Sequence, residues 1–163
     1  MTGYTDKLRA VARRLLSEGQ VDVFIGYREG SRPLVHHPVV ITRAAQADTL
    51  VWDAHCALNL ANYVVGRPER VGIVATGCVS RNLVPLIQEH QIARERLYIV
   101  GVPCTGMLDR SAILQRFADR EVTGVTQAGD RLAIELADGR EELAAGEFRA
   151  RNCRTCAHPN PVI

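Results

Sequence analysis

Apolar residues recur along the chain at two different spacings, and the switches between them mark its elements. Leu8, Val11, Ala12, Leu15 and Leu16 keep a helical spacing after Thr5-Asp6, a pair suited to a helix start, and Gly19 closes the segment. Val21 to Tyr27 (VDVFIGY) is a β-type run, divided by a Gly-Ser-Arg-Pro turn from a second run at Val39 to Thr42. Leu50, Val51, Ala54, Leu58, Ala61 and Val65 return to helical spacing and predict a helix from Asp48 to Val65, with Cys56 on it.

Two continuous apolar runs come next, Val71 to Ala75 (VGIVA) and Leu97 to Val102 (LYIVGV). Each leads into a helical stretch, the first reaching about His90 and the second running near Arg110 to Ala118. Strands without alternation are buried on both faces, and strand–helix–strand–helix order favours parallel pairing in an α/β layer. Pro85, read as lying early in the first of these helices, is expected to delay its start or kink it. From Val122 to Phe148 the residues alternate, with turns at Ala128-Gly129-Asp130 and Ala137-Asp138-Gly139, which predicts an antiparallel meander of two or three strands. The expected fold class is α/β: a small parallel-sheet core with a short antiparallel β meander near the C-terminus. It is read as one domain over 1–163, with the meander at about 121–150 and a C-x-x-C tail at 151–163.

A chain of 163 residues can bury a sizeable core, and 47% hydrophobic with 23% charged residues is ordinary globular composition. A formal charge of +2 gives no electrostatic reason to expect a nucleic-acid partner. Of the 20 basic residues only Lys7 is a lysine, and the arginines are interleaved with acids as on a solvated surface. No run approaches the roughly 18 apolar residues of a membrane span. Met1 to Gly19 has no apolar h-region, so a cytoplasmic location is expected. In that reducing compartment five cysteines point to metal or redox chemistry rather than disulfides.

Cys78 and Cys104 each fall just past the end of a predicted parallel strand and before a helix. Ligands collect at that edge of open α/β sheets, and helix N-termini stabilise thiolates and anionic clusters. Cys153 and Cys156 form a C-x-x-C, which lets two sulfurs from one turn serve one metal centre, and Pro159 and Pro161 stiffen the segment beyond it. An iron–sulfur cube needs four thiolates. Cys56, beside His55, is a fifth candidate able to replace any of these four, so the choice among the five stays open. Arg81 and Thr105, next to cysteines in sequence, are candidate cofactor contacts, and Arg81 and Arg154 could raise a cluster's potential. His36 and His37, before Pro38, are read as a solvated turn, while His55 and His158 are candidates for hydrogen bonds near the cluster. G-x-G-x-x-G, P-loop and G-x-S-x-G patterns are absent, and no Asp and His arrangement supports reading Gly101 to Gly106 as a nucleophile elbow.

Thr76-Gly77-Cys78-x-Ser80-Arg81, Val100-Gly101-Val102-Pro103-Cys104-x-Gly106-Met107 and Cys153-x-x-Cys156-x-x-Pro159-Asn160-Pro161 together resemble the coenzyme F-420 hydrogenase/dehydrogenase beta-subunit family. The likeness is greatest to relatives associated with heterodisulfide-reductase-like, hydrogenase and formate-dehydrogenase complexes. Leu50-Val51-Trp52, Cys56 and Asn59-Leu60-Ala61-x-Tyr63 are similar to the stretch that precedes those motifs. The resemblance implies a 4Fe-4S cluster on dispersed cysteines, matched here by Cys56, Cys78, Cys104, Cys153 and Cys156, and often FAD with a deazaflavin or flavoprotein partner. This sequence stops at Ile163 where longer members continue, and it shows neither a glycine-rich flavin segment nor accessory ferredoxin cysteines. The expectation is an electron-transfer subunit that docks on other subunits of a redox complex, including a flavoprotein. Its rivals are a structural-zinc interaction module, a flavin-dependent oxidoreductase acting alone, and a dithiol sensor using Cys153 and Cys156.

Overall fold

In the computed structural model the described residues are 2–161. Met1, Val162 and Ile163, the ends of the one-domain span expected from sequence, lie outside them. The N-terminal helix α1 (Thr2–Ser17) starts before the expected Thr5-Asp6 signal and buries Leu8, Ala12 and Leu15. Gly19, at φ +63°, supplies the left-handed residue that ends it.

Strands β1 (Val23–Glu29) and β2 (His36–Ile41) form an antiparallel hairpin, and β3 (Leu50–Val51) adds a short antiparallel pairing to β1. β4 (Val71–Ala75) lies parallel to β1, and β5 (Leu97–Gly101) parallel to β4, giving the order β2-β1-β4-β5. All five residues of β4 are buried, as its unbroken apolar run requires of a central strand. Helix α2 (Gly77–Gln88) returns from β4 to β5 and buries Val79, Ser80 and Leu83. Pro85 does not delay α2: it sits in the last third of the helix, where its missing N–H forfeits one internal bond.

Helix α3 (Arg110–Arg116) comes after β5, capped by the Asp109 side chain, which accepts the Ala112 N–H at 3.1 Å. The meander is a separate three-stranded antiparallel sheet, β6 (Val122–Ala128), β7 (Arg131–Leu136) and β8 (Gly139–Ala144), in that order. The molecule is thus mixed α/β, with the expected parallel pairings in one sheet and the expected meander in another. The first core gathers α1, the larger sheet and α2. The second packs Ile113, Phe117, Leu132, Ile134 and Phe148 together with Leu34 and Ala54 from the first half of the chain.

The helix expected from Asp48 to Val65 is not there. The segment is a short 3₁₀ turn (Ala44–Thr49), β3, an irregular loop and a second 3₁₀ turn (Leu60–Tyr63). Leu50, Val51, Ala54 and Ala61 are buried while Leu58 and Val65 are exposed, so the helical spacing does not describe one buried helical face. Asp53 supplies the local alternative: its side chain accepts the His55 N–H at 2.8 Å and its carbonyl accepts the Cys56 N–H at 3.3 Å, closing a turn that competes with helix. Cys56 therefore lies in a loop. His36 also departs from expectation, as a partly buried residue in β2 and not part of a solvated turn, whereas His37 is exposed on one side of the strand, at the register position opposite Arg28.

Candidate metal centre at the sheet edge

Parallel pairing sets the first two sulfurs. Ala75 and Gly101 are register partners at the C-terminal ends of β4 and β5, and Cys78 and Cys104 each stand three residues beyond them. Val102 continues the ladder by donating its N–H to Ala75 at 2.9 Å, so the two loops leave the sheet side by side. Cys78 is in the first turn of α2, where unpaired N–H groups favour negative charge. Thr76, at the N-cap, turns its hydroxyl to the Cys78 sulfur at 3.1 Å instead of capping the helix. The Cys104 sulfur accepts the Gly106 N–H at 3.4 Å.

The other two sulfurs arrive from the far end of the chain. After β8, the 3₁₀ turn Ala145–Phe148 leads into α4 (Arg151–Arg154), which carries Cys153, with Cys156 just beyond. The loop after β5 holds this segment in place. Leu108 and Arg149 form an isolated antiparallel bridge, Asp109 N–H donates to Phe148, and Ala150 N–H donates to Met107 at 2.8 Å. The Met107 N–H then donates to the Cys153 sulfur at 3.4 Å.

The tail beyond Cys156 folds back across the strand ends. Gly77 donates its N–H to Pro159 at 2.9 Å. A Cβ on Gly77 would collide with the His158 carbonyl oxygen and stand 2.9 Å from that of Asn160. A Cβ on Gly101 would come 2.8 Å from the Pro161 ring. Both glycines are needed for this close approach, which accounts physically for the Thr-Gly-Cys, Val-Gly-Val-Pro-Cys and Pro-Asn-Pro sequences occurring together.

Cys78, Cys104, Cys153 and Cys156 consequently share one neighbourhood. Burial pushes the Cys104 thiol up, the Gly106 N–H opposes this, and charge on Cys153, Cys78 and Cys156 raises it further. Cys78 and Cys156 are exposed, and Cys104 and Cys153 partly buried, so the group faces outward. Cys56 is not part of this rim. Only 3% exposed, it receives the Asp53 N–H at 3.5 Å and points at the Val51 carbonyl at 3.8 Å. Burial pushes its thiol well above the ordinary range. Tyr27, in the second half of β1, donates its hydroxyl to the Leu58 carbonyl. Burial, then charge on Cys56, Cys78 and Cys104, raises that hydroxyl's pKa.

The remaining candidates separate in the same way. Arg81 and Thr105 are exposed beside Cys78 and Cys104. Arg154 directs its guanidinium to the Arg149 and Glu147 carbonyls at 2.8 and 2.9 Å, so its fork is occupied by backbone. His158 is exposed and meets Gly77 through its backbone. His55 packs edge-on against His36, with ring centroids 5.6 Å apart. The spacing of motifs gave no sign of Thr76, Met107 or Tyr27 as neighbours of the sulfurs, nor of Asp53 and His36 as neighbours of Cys56. Only the fold creates those contacts.

No protein-family model matches the sequence, and no curated protein sequence matches it. Among solved structures the chain is similar to a chain of the F420-reducing NiFe hydrogenase complex from Methanosarcina barkeri, in a structure described as its xenon derivatization. The TM-score is 0.65 at 16% identity, covering 94% of this chain and 59% of that one. The likeness establishes a fold related to that of a hydrogenase-complex chain. This chain spans about three-fifths of that chain's length. No described helix is long and apolar enough to cross a membrane.

Proposed function

We propose that this chain is an electron-transfer subunit of a larger oxidoreductase complex, with one 4Fe-4S cluster held by Cys78, Cys104, Cys153 and Cys156. The observation that carries the reading is the return of the C-x-x-C segment onto the edge already occupied by Cys78 and Cys104, fastened by Met107 N–H to Cys153 and Gly77 N–H to Pro159. A tetrahedral zinc site with Zn–S bonds of about 2.3 Å would bring its sulfurs to roughly 3.8 Å from one another. Among the described residues, the group of three or more potential ligands within 4.8 Å of one another is His36, Asp53 and Cys56, not the rim cysteines. The fold shared with a hydrogenase-complex chain supports a place in a redox assembly of that kind, and the sequence resemblance adds formate dehydrogenase and heterodisulfide-reductase-like complexes as candidates.

A cluster there would supply one-electron redox chemistry. The chain's own residues supply the rest. N–H groups of Gly106 and Met107, the Thr76 hydroxyl and the α2 N-terminus direct positive dipole ends at the sulfurs, which stabilises the more reduced, more negative state. Buried Tyr27 and half-buried Cys104 close the inner side, while exposed Cys78 and Cys156 leave an outer side for a partner protein to approach. Arg81 and Thr105 stand on that outer side as contacts for the cofactor or the partner. The partner is a flavin-bearing subunit in this reading, and FAD is not assigned to this chain. In this reading the chain acts as one unit in a cytoplasmic complex, because Cys78 and Cys104 follow strands of the larger sheet while Cys153 and Cys156 lie on the segment after the meander.

The test is anaerobic purification with iron and sulfide analysis and EPR of the reduced protein, on the wild type and each Cys→Ser variant. Cys78→Ser, Cys104→Ser, Cys153→Ser and Cys156→Ser should each abolish or strongly alter the cluster signal, and Cys56→Ser should keep it. Colourless wild-type protein carrying stoichiometric zinc in place of iron would overturn the proposal.

A further inference from the structure

A second group of metal-ligating side chains lies apart from the rim. His36 in β2, Asp53 after β3 and Cys56 in the following turn bring a ring nitrogen, a carboxylate oxygen and a sulfur within 4.8 Å of one another. Their orientation is set by surrounding backbone. The Nδ1–H of His36 donates to the Val35 carbonyl at 3.1 Å, leaving Nε2 to face inward. Asp53 uses Oδ1 to accept the His55 N–H at 2.8 Å, leaving Oδ2 to meet His36 Nε2 at 2.8 Å. Metal-binding histidines characteristically donate their other ring N–H to a backbone carbonyl or carboxylate, which fixes tautomer and ring plane. A second imidazole is at hand: His55 lies edge-on to His36.

We propose that His36 Nε2, an Asp53 carboxylate oxygen and Cys56 Sγ form a mononuclear site for a divalent transition metal of the zinc class, distinct from the sulfur rim. Mixed nitrogen, oxygen and thiolate donors suit that class, and zinc coordination places adjacent donors about 3.3–3.8 Å apart, so side-chain shifts of about an ångström would bring the three donors into ligating positions. Binding releases two protons to solvent, the one shared between Nε2 and Oδ2 and the one on the Cys56 thiol. A cavity of about 220 Å³ lined by His36, His37, His55 and Leu58 gives an entry path. The metal would tie the β1–β2 hairpin to the loop that passes under Tyr27, bracing the inner wall of the rim.

The test separates this site from the cluster. A protein with Cys78, Cys104, Cys153 and Cys156 all changed to Ser, its fold checked by circular dichroism, is titrated with cobalt(II) and then zinc. The expected result is a thiolate-to-cobalt absorption band that zinc bleaches, lost on adding Cys56→Ser, with affinity weakened about 100-fold by His36→Gln. No thiolate band, or a cobalt affinity unchanged by His36→Gln, would show a hydrogen-bonded His–Asp pair only and overturn the site. Should the quadruple variant fail to fold, elemental analysis of the intact iron-containing protein decides instead. Zinc present in the wild type and absent from Cys56→Ser with iron retained supports the site. Zinc that persists in Cys56→Ser, or is absent from the wild type, overturns it. Loss of iron in the rim variants is read independently.

Discussion

The two sheets bury their strands differently. β4 is inaccessible along its whole length between β1 and β5, with α2 and α1 in the same core, whereas β6 and β8 alternate between partly buried and exposed positions and only β7 is largely buried. The larger sheet fixes Cys78 and Cys104 by strand register. The meander places no sulfur itself; it packs with Phe148 in the second core and launches the segment that brings Cys153 and Cys156 back. One pair of sulfurs is thus set by backbone pairing and the other by a docked tail. The lesson is that a site split in this way should fail in two distinguishable ways.

Perturbing the first core should have the largest effect. Phe24 is fully buried beneath Gly72, and Phe24→Ala should cost about 3–5 kcal/mol, read as a lowered denaturation midpoint. Ile134→Ala in the meander should cost about 2–5 kcal/mol, because the residue is equally buried, and should also lower iron retention by loosening the route to α4. Unchanged iron content in a destabilised Ile134→Ala protein would break the comparison. Gly77→Ala sharpens it: the new methyl displaces the tail from the strand ends, so most iron should be lost for a stability cost of about 1–3 kcal/mol. Retention of full iron by that variant would show that the tail does not need its present path.

The smallest effect is expected at the opposite end of the parallel strands. Hydrogen bonds from the Arg70 side chain and backbone N–H hold the Asp22 carboxyl down to about 2. A depressed carboxyl contributes stability above its unfolded pKa near 4, and the contribution disappears as pH falls toward 2. Asp22→Asn should therefore lower stability slightly at pH 7, the pair being exposed and screened by salt, and its difference from the wild type should vanish as pH falls from about 4 to 2. Iron content should not respond, since this tie lies far from the rim. A change there would mean that the strand ends are coupled along their length.

Strand periodicity carried most of the architecture. β4 and β5 were legible because continuous apolar runs bounded by turn residues have few other uses, and the meander because its alternation is broken by Gly turns. The 48–65 segment was misread since its apolar spacing satisfies a helix in one dimension, while Asp53 and the pairing of β3 with β1 satisfy its backbone otherwise. His36 was misread for a related reason: a histidine before proline signals a turn unless a distant carboxylate draws it inward.

What the sequence by itself determined was the inventory and local setting of the chemistry: five cysteines, two of them at strand ends, two in a C-x-x-C, and glycines beside them. Which thiols share a neighbourhood was decided only in three dimensions. Chain spacing constrains residues within a turn or a strand, whereas the meeting of Cys153 with Met107, of Pro159 with Gly77, and of the Asp53–Cys56 turn with His36 depends on long-range packing. Burial then made the fifth thiol different from the other four, and burial is a property of the folded whole.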